Sequence, residues 1–334
     1  MNLSRYDFNL PSQLIADRPR KPRGTSRLLV VDKESGTITA TTFDKIFDYF
    51  SEKDLFIFNN TKVNPVSLIL NDQDGKEQRI LLVEEVKSDT WKVLTRKPKE
   101  KIFILKGGLT CRLFKDTCTK EWMVTFSDKS QIFIDKYGMM PIPPYLNREP
   151  DSMDFEDYQT VYAKVLGSIA APTAGLHFSR DLLEEIDTKK IRTEFLTLHV
   201  GMGTFLPIKV KEVSNHEMHK EKFFVNPELL RKISSVRRCK GRVLTVGTTT
   251  LRALEAFSLI KEQSDNWFET DIFINEGFQF KSTDALLTNF HLPKSTLLIL
   301  ISAFLGNKLT MQCYDFAIKE KFNFYSYGDA MLIV

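Results

Sequence analysis

The chain has 334 residues, 42% hydrophobic and 27% charged, with a net charge of +4, a balance that excludes a disordered or fibrous chain and leaves room for two domains with cores of their own. So small a positive excess does not by itself mark a nucleic-acid binder. Four scattered cysteines, Cys111, Cys118, Cys239 and Cys313, form no C-x-x-C pair, which argues against a thiolate zinc site and for free thiols in a reducing compartment.

The opening MNLSRYDFNLP holds no apolar run of signal-peptide length, and the longest apolar helical stretch, Leu297 to Leu305, is too short to span a bilayer. Cytoplasm, with no membrane partner, is therefore expected. Arg18, Arg20, Lys21, Arg23 and Arg27 then crowd one loop-like stretch, which reads equally well as a solvated surface or a phosphate contact. Arg27 to Asp32 and Thr37 to Thr42 read as strands around a Glu34-Ser35-Gly36 turn. Phe43, Ile46, Phe47 and Phe50 follow with helical spacing, and Leu55 to Phe58 returns to strand.

From residue 62 to 150 the texture changes to short strands, Ile80 to Val86, Trp91 to Arg96, Leu109 to Phe114 and Trp122 to Phe126, with turn-rich pieces between and no helical period. That pattern predicts a small all-β module, closed as a barrel because closure removes exposed edges. Lys and Arg outnumber Asp and Glu by 16 to 12 in this module and balance elsewhere, a modest hint of polyanion contact. An α/β pattern resumes after residue 150. The expected architecture is an α/β domain from residues 1–61 and 151–334, interrupted by the β module at 62–150.

Three loops carry polar chemistry ahead of helices. In GSIAAPTAGLHF, Gly167 to Phe178, His177 precedes a helix with Ser179 as N-cap and Leu182, Leu183 and Ile186 as its apolar stripe. A helix N-terminus disfavours imidazolium, so His177 is expected neutral and able to accept a proton. The strand Arg242 to Val246, broken by Gly247, leads to a helix near Leu251 with Thr248 to Thr250 as candidate caps. Asn289, His291 and Lys294 occupy the loop before a third helix, with Ser295 or Thr296 as cap and Gly306 as stop. The strand Ile191 to Val200 ends in His199-Val200-Gly201-Met202-Gly203-Thr204; Leu206 stands where a dinucleotide fingerprint needs glycine, so that reading fails. His216-Glu217-Met218-His219-Lys220-Glu221 is not H-E-x-x-H, and a pocket-lining role for His219 and Glu221 is preferred over metal. Arg231, Lys232, Arg237, Arg238, Lys240 and Arg242 form a second basic cluster, and Asp329 precedes a final strand, Ala330 to Val334, as cap, ion-pair partner or catalytic carboxylate.

Several long segments together resemble one family, the S-adenosylmethionine:tRNA ribosyltransferase-isomerases of queuosine biosynthesis. They include YDFNLPSQLIADRP from Tyr6, SRLLV from Ser26, NNTKV from Asn59, YQTVYA from Tyr158, GSIAAPTAGLHF, HVGMGTF from His199, VGTTTLRALE from Val246, TNFHLPKSTLL from Thr288 to Leu298 and YSYGDAMLI from Tyr325. Three places depart from the family pattern. Gly24-Thr25 stands for a usual Asp-Ala, Asn275-Glu276-Gly277-Phe278 for a Pro-Gly-Tyr element, and Val66-Ser67 for an Ala-Arg whose arginine is a possible phosphate contact.

The resemblance implies a barrel-like α/β domain with an inserted β-barrel, acting as a monomer without metal or prosthetic group. It implies transfer of the ribosyl part of S-adenosylmethionine to 7-aminomethyl-7-deazaguanine at a tRNA wobble position. The product is epoxyqueuosine, and adenine and methionine leave. A sulfonium acidifies the neighbouring ribose carbon, so a positioned base is required. His177 and His199 lead as that base or as the acid for adenine, with His219, Glu221 and Asp329 behind them. Lys294 or Arg252 would hold the methionine carboxylate. Thr173, Gly175, Gly201, Gly203, Thr248, Thr249, Asn289 and His291 would line the donor and base sites. Arg18, Arg20, Lys21, Arg23 and Arg27, with the β module, would face the RNA phosphates. The rival is a noncatalytic tRNA-binding relative, disfavoured by the retained His177, His199, His291 and Asp329. A methyltransferase lacks its glycine-rich loop, and a metal hydrolase is weaker still.

Overall fold

The computed structural model describes residues 2–104, 110–201, 212–213 and 216–334. The chain is of the α/β class and divides into two compact units, residues 1–62, 144–148 and 159–334 in one and 63–143 with 149–158 in the other.

The larger unit is built on a nine-stranded mixed sheet. Its spatial order is Trp267–Thr270, Glu221–Phe224, Arg192–Leu198, Leu55–Asn59, Val243–Val246, Ala285–Asn289, Ala330–Ile333, Arg27–Val31 and Ile38–Thr42. The four strands from Arg192–Leu198 to Ala285–Asn289 run parallel, and Ala330–Ile333 returns antiparallel beside the last of them. The central strands are buried along their whole length, as strands covered on both faces must be. On one face Leu29, Val31, Leu286 and Met331 pack under the helices Thr296–Leu305 and Asn307–Lys319, and Leu55, Ile57 and Leu196 pack under Glu228–Arg238 and Thr248–Leu259. On the other face Leu28, Val30, Phe56, Phe58 and Leu287 meet Arg180–Thr188 and a 3-10 segment, Phe43–Tyr49. The spacing of Phe43, Ile46 and Phe47 thus belongs to a 3-10 turn seating three apolar side chains on the sheet.

In the smaller unit six antiparallel strands follow the order Ser67–Asn71, Glu77–Lys87, Thr90–Leu94, Trp122–Phe126, Thr110–Lys115, Lys101–Ile104. The first and last approach each other, and the Lys101 ammonium reaches the Asp72 carboxylate at 2.5 Å, so the sheet is a nearly closed barrel. Ser67–Asn71 and Lys101–Ile104 were not distinguished in the sequence, and Leu109 lies outside the described residues. One expectation is corrected. The module does contain a helix, Ser130–Tyr137, which buries Phe133 and Ile134 in the barrel's core cluster; eight residues with two buried apolar positions give too weak a period to read. All four cysteines are free thiols. Among the described residues no single helix is long and apolar enough to cross a membrane.

Candidate active site

Parallel strands end with their loops on one side, and crevices in open α/β sheets form outside those carboxyl ends. A cleft whose empty space, open mouth included, is about 680 Å³ opens there in the larger unit. Its lining comes from the ends of the parallel strands and the loops beyond them. Val200 follows Arg192–Leu198, Gly247, Thr248 and Thr249 follow Val243–Val246, Thr288 and Asn289 end Ala285–Asn289, and His291 lies just beyond it. Ala170, Ala171, Thr173 and Ala174 form one wall, and Tyr145, Tyr325 and Ser326 another.

The small-residue wall is held by one hydroxyl. Ser168 Oγ donates to the Ala170 carbonyl at 2.8 Å and accepts the Val200 N–H at 2.8 Å, which fastens the loop to the strand end. Asn59, fully buried, accepts the N–H groups of Thr61 and Leu198 and donates to the Leu198 carbonyl and to Thr249 Oγ1. It therefore orients one of the cleft threonines. Gly247 has φ +96°, which favours glycine, and is itself the N-cap, so the helix starts at Thr248. The expected threonine cap is absent. Thr250 instead donates to the Val246 carbonyl at 2.6 Å, and the helix N-terminus makes no side-chain cap bond. The next helix is capped by Ser295, which accepts the Leu298 N–H.

His177 is buried and absent from the cleft wall. Its Nε2 lies 3.1 Å from Asn289 Nδ2, whose other hydrogen goes to the Tyr325 carbonyl at 3.1 Å. The amide nitrogen can only donate, so Nε2 accepts and Nδ1–H donates to Ser26 Oγ at 2.8 Å. The ring also stacks on Phe43 with centroids 5.1 Å apart. Burial, with a smaller contribution from the Arg23 guanidinium, pushes its pKa down to about 4. The neutrality expected of His177 therefore has burial as its main cause rather than the helix dipole. Ser26, His177 and Asn289 form a chain that fixes a cleft residue from behind, and Asn289 Oδ1 is buried with no hydrogen-bond partner among the described residues.

His291 does line the cleft. Its Nε2 meets Thr288 Oγ1 at 2.9 Å, its N–H donates to Tyr314 Oη, and burial lowers its pKa to about 3. His199 stands one residue before the cleft-lining Val200, its Nδ1 2.9 Å from Thr61 Oγ1 and its ring stacked on Trp267. A side chain at Gly167 would strike that ring at 2.6 Å. Burial, then Lys222, lowers the His199 pKa, which leaves the ring neutral near pH 7.

Arg252 and Glu221 form a buried ion pair at 2.5 Å, and Glu221 also accepts the Gly201 N–H at 3.2 Å. Arg252 Nε and Nη2 have no hydrogen-bond partner among the described residues. This guanidinium lines a smaller recess that shares Leu297 with the main cleft, one helical turn beyond Thr248 and Thr249.

Other expected residues lie elsewhere. The Lys294 ammonium pairs with Asp7 at 2.6 Å and is not in the cleft wall. Asp329, completely buried, accepts the N–H groups of Arg27 and Asn323 and sits 3.3 Å from Arg20 Nε, a bracing position. His219 is exposed. Among the described residues no group of three potential metal ligands occurs. Gly175 leaves space for Tyr162, whose hydroxyl would lie 1.9 Å from an added Cβ. Gly203 lies outside the described residues. In the basic cluster Arg23 donates to the Gln159 carbonyl, Arg27 to the Glu320 carbonyl while lying 3.8 Å over Phe322, and Arg20 faces Asp329. Arg18 is half-buried and Lys21 exposed. Not singled out in the sequence were Ser26, Asn59, Thr288, Tyr145, Tyr325 and Ser326; all but Tyr145 fall inside the quoted family segments, the available signal.

The queuosine biosynthesis protein family matches residues 3–333 of the chain. Similar proteins include the S-adenosylmethionine:tRNA ribosyltransferase-isomerases of Trichlorobacter lovleyi, 42% identical over 341 residues, and Thermodesulfovibrio yellowstonii, 43% identical over 348 residues, each alignment covering all of both chains. The crystal structure of the S-adenosylmethionine tRNA ribosyltransferase of Thermotoga maritima is similar with a TM-score of 0.58 and 31% identity, covering 99% of this chain and all of that one.

Proposed function

The chain belongs to the queuosine biosynthesis protein family, and from that premise we propose that it is an S-adenosylmethionine:tRNA ribosyltransferase-isomerase acting on 7-aminomethyl-7-deazaguanine at the tRNA wobble position. The donor's ribosyl group becomes the epoxycyclopentanediol of epoxyqueuosine, and adenine and methionine leave. The observation that carries this reading is convergence. Segments far apart in the chain, 170–174, 247–249, 288–291 and 325–326, all line one cleft at the carboxyl ends of the parallel strands.

The chemistry divides among these residues as follows. A base must take a proton from the ribose carbon next to the sulfonium, and His199, half-buried, neutral and adjoining the cleft, is the proposed base. His177 is a positioning residue that acts through Asn289, because its Nε2 is already occupied by the amide. The adenine and ribose of the donor rest against Thr248, Thr249, Thr173 and His291. Arg252, with two nitrogens that have no hydrogen-bond partner among the described residues, lies beyond Thr248 and Thr249 and is better suited than Lys294 to receive the methionine carboxylate. No step calls on a prosthetic group.

The test is to incubate the purified protein with S-adenosylmethionine and an anticodon stem-loop carrying the aminomethyl base, following free adenine and the RNA mass. The expected result is adenine release with a ribosyl-sized mass gain. Binding of the RNA with neither change would favour the noncatalytic relative.

A further inference from the structure

One end of the large sheet carries an aromatic surface outside the cleft. The strands Trp267–Thr270, Glu221–Phe224 and Arg192–Leu198 bury one face against helices through Phe223, Leu196 and Leu198. Side chains alternate along strands, so the register Trp267↔Phe224 and Thr197↔Phe224 sets Trp267 and Phe224 on the opposite face. That is the face on which Phe58 belongs to the core, yet the covering elements stop short of its end. Phe195 stacks beside Phe58 at 5.7 Å and is 42% exposed, while Trp267 is 48% exposed.

Trp267 and His199 stack with centroids 4.9 Å apart and planes 19° apart, and Phe224 lies 5.9 Å from the same indole. The His199 ring is pinned at Nδ1 by Thr61 and by the close backbone of Gly167. Lys222 lies on this face, its carbonyl accepting the His199 N–H. Lys220 lies 3.9 Å from the Glu269 carboxylate and Lys222 stands opposite Glu269 in the register, which sets two ammonium groups and a carboxylate beside the aromatic pair. The surface adjoins the cleft along the chain, since His199 immediately precedes the cleft-lining Val200.

A rigid, flat, half-open aromatic pair on a sheet face with lysines beside it fits an unpaired nucleobase with its phosphate, since every base presents a π-face and loop bases are read when unstacked. We propose that the Trp267–His199 stack, with Phe224, is a stacking platform for an anticodon-loop nucleotide neighbouring the base that enters the cleft. This rests on the tRNA reading above and adds to it a surface and a contact. The basic stretch around Arg20 and Lys21 lies toward the other end of the sheet order, so the RNA loop would bridge the cleft between stacking and phosphate contacts.

The experiment uses the full chain with Trp91→Phe and Trp122→Phe, so that Trp267 is the remaining tryptophan, titrated with the anticodon stem-loop. Quenching of Trp267 is expected. Trp267→Ala should raise the KM for the stem-loop roughly tenfold, with the KM for S-adenosylmethionine unchanged, and Trp267→Phe should restore most of the loss. Unquenched Trp267 fluorescence on RNA binding, or an unchanged KM in Trp267→Ala, overturns the proposal. So does sedimentation showing that Trp267→Ala turns a dimer into a monomer, since the face would then seat a second copy. Failure of the parent protein to release adenine would instead sink the transferase reading, so the two failures are distinct.

Discussion

His177 makes the stability of the larger unit depend on pH in a direction fixed by its burial. Its pKa is about 4 in the folded chain and about 6.5 once unfolded. The folded state therefore refuses a proton that the unfolded state accepts between those values. The contribution is fully present above pH 6.5 and is lost as pH falls toward 4. Each pKa unit is worth about 1.4 kcal/mol, so lowering the pH to 5 removes about 2 kcal/mol through His177. His291, with a pKa of about 3, removes about 2 kcal/mol more over the same interval. His177→Gln replaces the ionisable ring by an amide able to meet both Ser26 and Asn289. Urea unfolding at pH 7.5 and pH 5, followed by Trp267 emission with Trp91 and Trp122 replaced by Phe, should show the histidine chain losing about 2 kcal/mol more than the variant. Equal losses in the two proteins, or an imidazole resonance of His177 titrating near pH 6.5, would refute the buried, neutral assignment.

Three further outcomes follow from individual contacts. Arg252→Lys keeps a charge toward Glu221 but loses the planar fork, and is expected to raise the KM for S-adenosylmethionine about tenfold with thermal stability nearly unchanged; an unaltered KM would detach Arg252 from donor binding. Gly175→Ala drives a methyl against the Tyr162 hydroxyl and should cost about 1–3 kcal/mol, a penalty that shrinks in a Tyr162→Phe background if the clash is its cause. Alanine at Arg20 and Lys21 together should weaken stem-loop binding and flatten its logarithmic salt dependence by about one unit per lost phosphate contact, whereas a parallel slope would assign both side chains to bracing alone.

The sequence revealed the architecture more fully than the site. Alternation and turn residues were enough for several strands of each unit, because a buried central strand such as Leu55–Asn59 is apolar throughout and a barrel strand such as Trp122–Phe126 is bounded by turns, but they did not single out Ser67–Asn71, Lys101–Ile104, Glu221–Phe224, Trp267–Thr270 or Ala285–Asn289. Ser130–Tyr137 escaped notice because its apolar period is short. The cap at Ser179 was legible from local chemistry alone, and the cap at Ser295 to within one residue, Thr296 being the alternative. The site's long-range pairings were not. Nothing in Asp329 distinguishes a catalytic carboxylate from one accepting the N–H groups of Arg27 and Asn323, and nothing local tells that Lys294 turns outward to Asp7. His177 stood out correctly as neutral, but its place behind Asn289 depends on a partner 112 positions away. Trp267 went unremarked because its significance lies in stacking on His199 from another strand.

In the proposed reaction the ribose, not the methyl, of S-adenosylmethionine passes to RNA. Two reactions with the aminomethyl-bearing stem-loop, one with donor labelled in the ribose carbons and one labelled in the methyl, test it directly. The expected result is ribose label in the RNA, one adenine released per modified RNA, and no methyl label retained. Methyl label in the RNA, or adenine release with the RNA unlabelled, would contradict it.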